Sequence, residues 1–242
     1  MRIEKAVEVF VRAFALTRSL THPYLAEWVD GAWAMRDGPG RRGDPRNEEW
    51  VGYGLAPTQL DRVVGRHARG RFVVAYVVQS HSQELEARRE FKGLGYRLTA
   101  IEPLFVHALA DLPAVSSPVS VLRVQDETLA LRLGKELRRR PLGPDAFAED
   151  AAWRQYVAEV DGALVGWVAS LAACDAAWCA NLYVKPDHRR QGIAKALMAR
   201  MLADDQALGR SASVLLSSHT GAQLYPTLGY RQIGTLLLYA LR

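Results

Sequence analysis

Apolar positions recur along this chain with two alternating spacings. Ile3, Val7, Phe10, Val11 and Phe14 fall on one helical face, predicting an amphipathic helix to roughly Leu20. A short apolar run at Ala32 to Met35 precedes a glycine- and arginine-rich loop that Pro45 ends. Glu49 to Leu55 is expected as a strand closed by Pro57, and Thr58 starts a helix carrying Leu60, Val63 and Val64. Phe72 to Val78 predicts a buried strand. Gln83 to Leu94 predicts a helix with Leu85 and Phe91 inward, Gly95 stops it, and Tyr96 to Leu109 is extended.

The second half has its own series. Val119 to Val124 alternates as a strand, and Asp126 caps a helix with Leu129, Leu133 and Leu137 on its apolar face. Ala152 to Val160 and Ala163 to Leu171 form a hairpin across Asp161-Gly162, and Trp178 to Val184 adds a third strand. A helix from Gln191 to about Leu208 ends at Gly209. Ser213 to Ser217 is expected as a strand, Gly221 to Leu228 as a short helix, and Tyr230 to Leu241 as a closing strand.

The two series resemble each other. GLGYRLTAIEPLFVHAL at 93 to 109 aligns with TLGYRQIGTLLLYAL at 227 to 241 when two residues are skipped. VVAYVVQS at 73 to 80 lies opposite SVLLSSHT at 213 to 220. The first series has no counterpart of Asp187 to Gly192, and Phe91 stands where the second has Tyr225. The expected organisation is a degenerate domain at 1 to 112, a proline- and serine-containing linker at 113 to 118, and a second domain at 119 to 242.

Charge alters this picture little. The 242 residues carry a net +5, with 16 basic against 14 acidic residues up to Ala114 and 15 against 12 beyond it. Arg41-Arg42, Arg138 to Arg140 and Arg189-Arg190 are short and scattered, so no specific nucleic-acid partner is expected. The charged residues Glu4, Glu8 and Arg12 interrupt any leader-like apolar core, and a cytoplasmic location is expected. From Gly162 to Val184 only Asp175 is charged, and a central Asp would cost about 3 kcal/mol in a bilayer. Two strands joined near Asp175 are expected instead, with no membrane association. Cys174 and Cys179 lack metal-site spacing and are expected as free buried thiols, with no metal bound.

The chemistry concentrates in NLYVKPDHRRQGIAKAL at 181 to 197. Strand-like Leu182 and Val184 run through Pro186 into a loop, and Ile193, Ala194, Leu197 and Met198 begin a helix. A helix start offers unpaired N–H groups and partial positive charge to an anion. Gly192 and Ala194 leave a phosphate room to approach, and Arg189 and Arg190 add charge.

Arg189, Gly192 and Ala194, with the preceding strand and Val-x-Pro, resemble the acyl-coenzyme A signature of the GNAT N-acetyltransferases. The element order from Val119 onward is similar to that family's. The resemblance implies an α/β (α+β mixed sheet) acyl-CoA N-acyltransferase fold, here as two tandem GNAT-like domains, with the strands after Trp178 and Ser213 splayed around pantetheine. It implies acetyl-CoA as cosubstrate, held by Leu182, Tyr183, Val184, Arg189, Arg190, Gln191, Gly192, Ile193, Ala194, Lys195 and Ser218. Ser218 stands where the family often has Asn. Tyr225, in a segment matching Leu-Tyr-x-x-x-Gly-aromatic, would protonate the coenzyme A sulfur or only pack against the cofactor. The base is left between Glu159, through water, and His219, since Asn181 replaces a glutamate found in some members. The expected activity is acetyl transfer to a small amine by a monomer or homodimer; the alternative is a module that binds acyl-CoA without turnover.

Overall fold

The structure is a computed structural model that describes residues 1–115, 119–218 and 221–241. The chain divides into two compact units. Unit 1 comprises Met1–Phe105, Leu216–Gln223 and Gln232–Arg242; unit 2 comprises Val106–Leu215 and Leu224–Arg231. Each unit therefore draws on both halves of the chain.

In unit 1, α1 (Ile3–Arg18) buries Val7, Phe10 and Val11 along the expected stripe. The strands β1 (Tyr24–Val29) and β2 (Ala32–Asp37) form a hairpin that the apolar pattern did not reveal, because Glu27 and Trp28 break the alternation. Its two-residue turn is Asp30-Gly31, both at positive φ (46° and 91°), the twist-compatible geometry for so tight a connection. Next come β3 (Glu48–Gly52), α2 (Pro57–His67), β4 (Phe72–Val78), α3 (His81–Gly93) and β5 (Tyr96–His107). Pro57 opens α2, where its missing N–H costs nothing. Ser80 caps α3 by accepting from the Gln83 N–H. Phe91 is inward as expected, but Leu85 is 45% exposed; Ala87 is the other buried side chain of α3. The final strand, β11 (Arg231–Leu241), lies antiparallel to β4, pairing Leu237 with Tyr76 and Tyr239 with Val74. Strand order in this unit is β1-β2-β3-β4-β11-β5. Leu237 and Tyr239 join Trp50, Leu60, Val64 and Phe91 in one core cluster, so the C-terminal strand completes it.

Unit 2 begins with β6 (Ser120–Arg123) and α4 (Glu127–Leu137), whose first turn is capped by the Asp126 carboxylate accepting from the Leu129 N–H at 2.8 Å. β7 (Trp153–Val160), β8 (Ala163–Ala173) and β9 (Ala176–Val184) follow as an antiparallel meander. The helix α5 (Ile193–Ala207) then leads to β10 (Ser213–Leu216), parallel to β9. The order is β10-β9-β8-β7-β6. Cys174 is exposed at the β8–β9 turn, contrary to the buried thiol expected there, because a turn residue at φ 56° points its side chain outward; Cys179 is buried. The expected helix over 221–228 is instead two 3₁₀ turns, Gly221–Gln223 and Tyr225–Leu228, since Pro226 removes an amide that a continuous helix would use. No helix among the described residues is long and apolar enough to cross a membrane.

α5 is tied to the unit 2 sheet by a buried charge cluster that no periodicity shows. Arg154 on β7 and Asp205 on α5 are both fully buried, with Nη2 donating to the Asp205 carboxylate at 2.6 Å. Ser170 on β8 donates to the same carboxylate oxygen at 2.7 Å.

Candidate active site

The site region starts with an irregularity in β9. Trp167 pairs with Tyr183 and Ala169 with Ala180, so Asn181 and Leu182 together face Val168. Asn181 sits at φ 56°, a left-handed conformation that Asn tolerates better than most residues. This is a β-bulge, which removes one residue from the ladder and re-aims the strand beyond it. The sequence signal for it was an Asn inside an otherwise apolar strand. Beyond the bulge, Gly166, paired with Val184, lets the two strands close up, since a Cβ there would stand 2.9 Å from the Tyr183 carbonyl oxygen. Pairing between β9 and β10 is confined to Ala177 with Ser213 and Trp178 with Val214, while β9 runs on to Val184; the strands part as the resemblance implied.

Beyond β9, Pro186–His188 forms a single 3₁₀ turn, and Arg190 (φ 61°) and Gly192 (φ 81°) bring the chain to the start of α5. Gly192 is the cap residue and no side chain caps the helix. The first helical bond runs from the Ala196 N–H to the Gly192 carbonyl. The amides of Ile193, Ala194 and Lys195 therefore have no helical partner, and they carry the positive end of the helix dipole. Nothing lies within 4 Å of where a Gly192 Cβ would be, so the cap position itself is open. Ile193 is buried and anchors the turn, whereas Gln191, Lys195 and Arg190 are exposed. Arg189 is committed to the loop itself. Its Nε donates to the Val184 carbonyl at 3.0 Å and its guanidinium lies 5.8 Å from the Tyr183 ring centre. Tyr183 in turn stacks on Trp167 at 4.8 Å.

Tyr225 opens the second 3₁₀ turn, in the same unit, and is 8% exposed. Its ring meets Tyr230 edge-on at 5.7 Å, and its carbonyl accepts from the Tyr230 N–H. Burial, and then the nearby Cys179 sulfur, push the phenol up, so it keeps its proton. The Tyr230 hydroxyl hydrogen-bonds Ser213 Oγ at 2.8 Å, fixing the turn to β10.

A residue the sequence did not point to holds the other side of this turn. His107 comes from the end of β5, is 2% exposed, and lies 5.1 Å from the Tyr230 ring. Its Nδ1 accepts from the Leu109 N–H at 2.9 Å, and its other ring nitrogen donates to the Leu228 carbonyl. Burial holds its pKa below the ordinary value, so the ring is neutral as this pattern requires. Gly229 (φ 88°) passes against it; a Cβ there would be 2.8 Å from Nε2.

Among the remaining candidates, Glu159 stands apart from Tyr225. Glu159 is near the end of β7, paired with Leu164, and its carboxylate meets Arg132 at 3.4 Å. Cys179, beside Tyr225, pairs with Ser170. The run from Leu164 to Ser170 along β8 is roughly 20 Å at the rise of a strand. Glu159 is thus not brought to the phenol. Ser218 belongs to the unit 1 segment and is a turn residue: its Oγ accepts from the Gly221 N–H at 3.3 Å and its carbonyl from the Ala222 N–H at 3.0 Å. His219 lies outside the described residues.

Residues 152–232 match the family model described as the acetyltransferase (GNAT) domain. A GCN5-related N-acetyltransferase from Kribbella flavida aligns with 97% of this chain and 94% of its own at 17% identity and TM-score 0.66. Another from Sphaerobacter thermophilus aligns with 86% of this chain and 76% of its own at 20% identity and TM-score 0.58. A tandem GNAT protein from the clavulanic acid biosynthesis pathway covers 98% of this chain and 94% of its own at 15% identity and TM-score 0.52. No curated protein matches the sequence. Residues 152–232 thus match the GNAT domain model, within a mixed α/β architecture that matches the GNAT fold.

Proposed function

We propose that this protein transfers an acetyl group from acetyl-CoA to the amine of a small molecule. The observation that carries the reading is the start of α5, where three amides have no helical partner behind a glycine at φ 81° that is open on its Cβ side. A pyrophosphate fits that surface: the amides of Ile193, Ala194 and Lys195 supply donors, and Arg190 and Lys195 supply exposed positive charge. Leu182 in the bulge, with Tyr183 and Val184 beyond it, would line the pantetheine arm. Acetyl-CoA brings the thioester, whose C–S bond breaks as the C–N bond to the amine forms. The amine attacks in its neutral form; Tyr225 keeps its phenolic proton at neutral pH and gives it to the departing sulfur, and the proton that the amine nitrogen loses returns to the phenolate, so the cycle closes with no net proton change. A neutral phenol suits that role better than an ionised one would.

We read residues 1–112 as a degenerate GNAT copy. Its support is that α2 begins at Pro57, five residues after β3 ends, with no loop like 187–192. Phe91, opposite Tyr225 in the repeat, is fully buried and stacked on Tyr239 at 4.2 Å, so it serves the core. The second reading, an acyl-CoA-binding module without turnover, draws on the low exposure of Tyr225, which packs as a core residue would.

The test is acetyl-CoA binding by thermal shift together with thiol release across a panel of small amines. The transferase reading expects stabilisation of about 2.7 kcal/mol at a hundredfold excess over Kd, amine-dependent thiol release, and at least a tenfold lower kcat in Tyr225→Phe. Stabilisation without thiol release from any amine selects the binding module. Gly192→Glu should abolish the stabilisation; if it binds normally, the phosphate surface is elsewhere.

A further inference from the structure

Unit 1 has a cavity of about 420 Å³ that takes no part in the site above. That volume falls within the range of small-molecule sites. It is lined by the first two turns of α1, the end of the β1–β2 hairpin and Tyr53. Trp28 in this lining is 60% exposed, the largest value among the exposed large apolar side chains. Its indole meets that of its cross-strand partner Trp33 edge-on, centroids 5.1 Å apart, so the two rings form a corner.

The charges around that corner are unevenly committed. Glu8 is bridged by Arg12 at 2.8 Å and by Lys5 at 3.7 Å. The Arg12 guanidinium also sits 5.1 Å over the Trp33 ring, so an indole here already serves as a cation platform within the protein. Glu4 has no ion pair among the described residues, and its charge bears on the Tyr53 phenol, placing the carboxylate and that ring in one electrostatic environment. Arg2, the remaining charge of the lining, is exposed to solvent. Three aromatic side chains and one uncommitted carboxylate around a small-molecule-sized cavity are the elements of an ammonium cage. The rings supply negative faces to a cation whose charge is too diffuse to hold water tightly, and the carboxylate supplies the counter-charge.

We propose that this cavity binds an organic ammonium ion, a protonated or quaternary amine on a small apolar body, with Trp28, Trp33 and Tyr53 as its walls and Glu4 as its counter-ion. This site is independent of the transferase reading, because every residue it uses lies in unit 1 and none belongs to the α5 loop.

The test uses choline and its uncharged isostere 3,3-dimethyl-1-butanol, compared by saturation-transfer NMR and calorimetry on the full chain. Choline is expected to bind at least tenfold more tightly than the alcohol, and Trp28→Ala and Glu4→Gln each to weaken it at least tenfold. Both side chains are exposed, so the variants should keep the wild-type Tm, and acetyl-CoA stabilisation should be unchanged in both. Equal binding of choline and the alcohol, undiminished binding in Trp28→Ala, or no choline binding at about 10 mM would each overturn the proposal.

Discussion

Removing Asp205 tests how α5, and with it the loop at its start, is held to the sheet. Arg154 and Asp205 are both fully buried, and Arg154 Nε and Nη1 have no hydrogen-bond partner among the described residues. In Asp205→Ala the guanidinium would keep only Ser170 Oγ, at 3.2 Å, as a partner. A buried charge deprived of its counter-ion costs about 3–5 kcal/mol. For a chain of this size each kcal/mol moves Tm by about 2–4 °C, so the variant should melt about 6–20 °C lower. Arg154→Met combined with Asp205→Leu removes both charges and fills the volume, and should recover most of that loss. Urea denaturation and scanning calorimetry on Arg154→Met, Asp205→Leu and the double variant complete a mutant cycle, with an expected coupling of at least about 2 kcal/mol. A loss below about 1 kcal/mol in Asp205→Ala, or a double variant no more stable than the singles, would refute the argument that an uncompensated charge sets the cost.

Three further changes probe the site and its frame. Gly166→Ala puts a Cβ 2.9 Å from the Tyr183 carbonyl oxygen, so β9 must shift; acetyl-CoA stabilisation should fall, with a stability loss of about 1–3 kcal/mol in denaturant titrations. His107 should give the protein a stability that is full above pH 6.5, the ordinary histidine value, and lost as pH falls through its lowered folded pKa, because protonating Nδ1 destroys the acceptor for the Leu109 N–H. Asp111, whose charge opposes that lowering, and the Tyr230 ring face the group, and His107→Leu should be less stable at pH 7 by about 1–3 kcal/mol yet lack this acid-side slope in urea titrations from pH 5 to 8. Gly234→Ala drives a Cβ to 2.7 Å from Ile3 Cδ1 and 2.9 Å from the Val78 carbonyl oxygen, so it should lower Tm although it lies in the unit 1 part of the chain and leaves the α5 loop untouched.

Much of the element series was legible because it depends on local spacing. The helical stripe of α1, the continuous apolar run of β4, the Asp161-Gly162 turn and the Asp126 cap each follow from contacts within a few residues, and each is present. The loop between β9 and α5 was legible for the same reason: a strand, a proline, a glycine and a helical stripe are all local signals. β1 was missed because its exposed Trp28 and half-buried Glu27 leave no clean alternation, so only pairing with β2 stabilises it. The helix expected over 221–228 was overextended because its apolar residues kept helical spacing, while Pro226 could not continue the hydrogen-bond ladder.

Local pattern by itself determined where strands and helices form and which loop could hold an anion. Tertiary structure decided which distant segments complete each unit. Strand pairing uses backbone groups that every residue carries, so nothing in the residues of β11 announces that it lies against β4, from the other half of the chain. Nor does a lone His near residue 107 disclose that it will hold the turn carrying Tyr225, or Arg154 and Asp205 that two charged residues 51 positions apart will be buried together. Burial and electrostatic pairing are properties of neighbours in space, and only the folded chain supplies those neighbours.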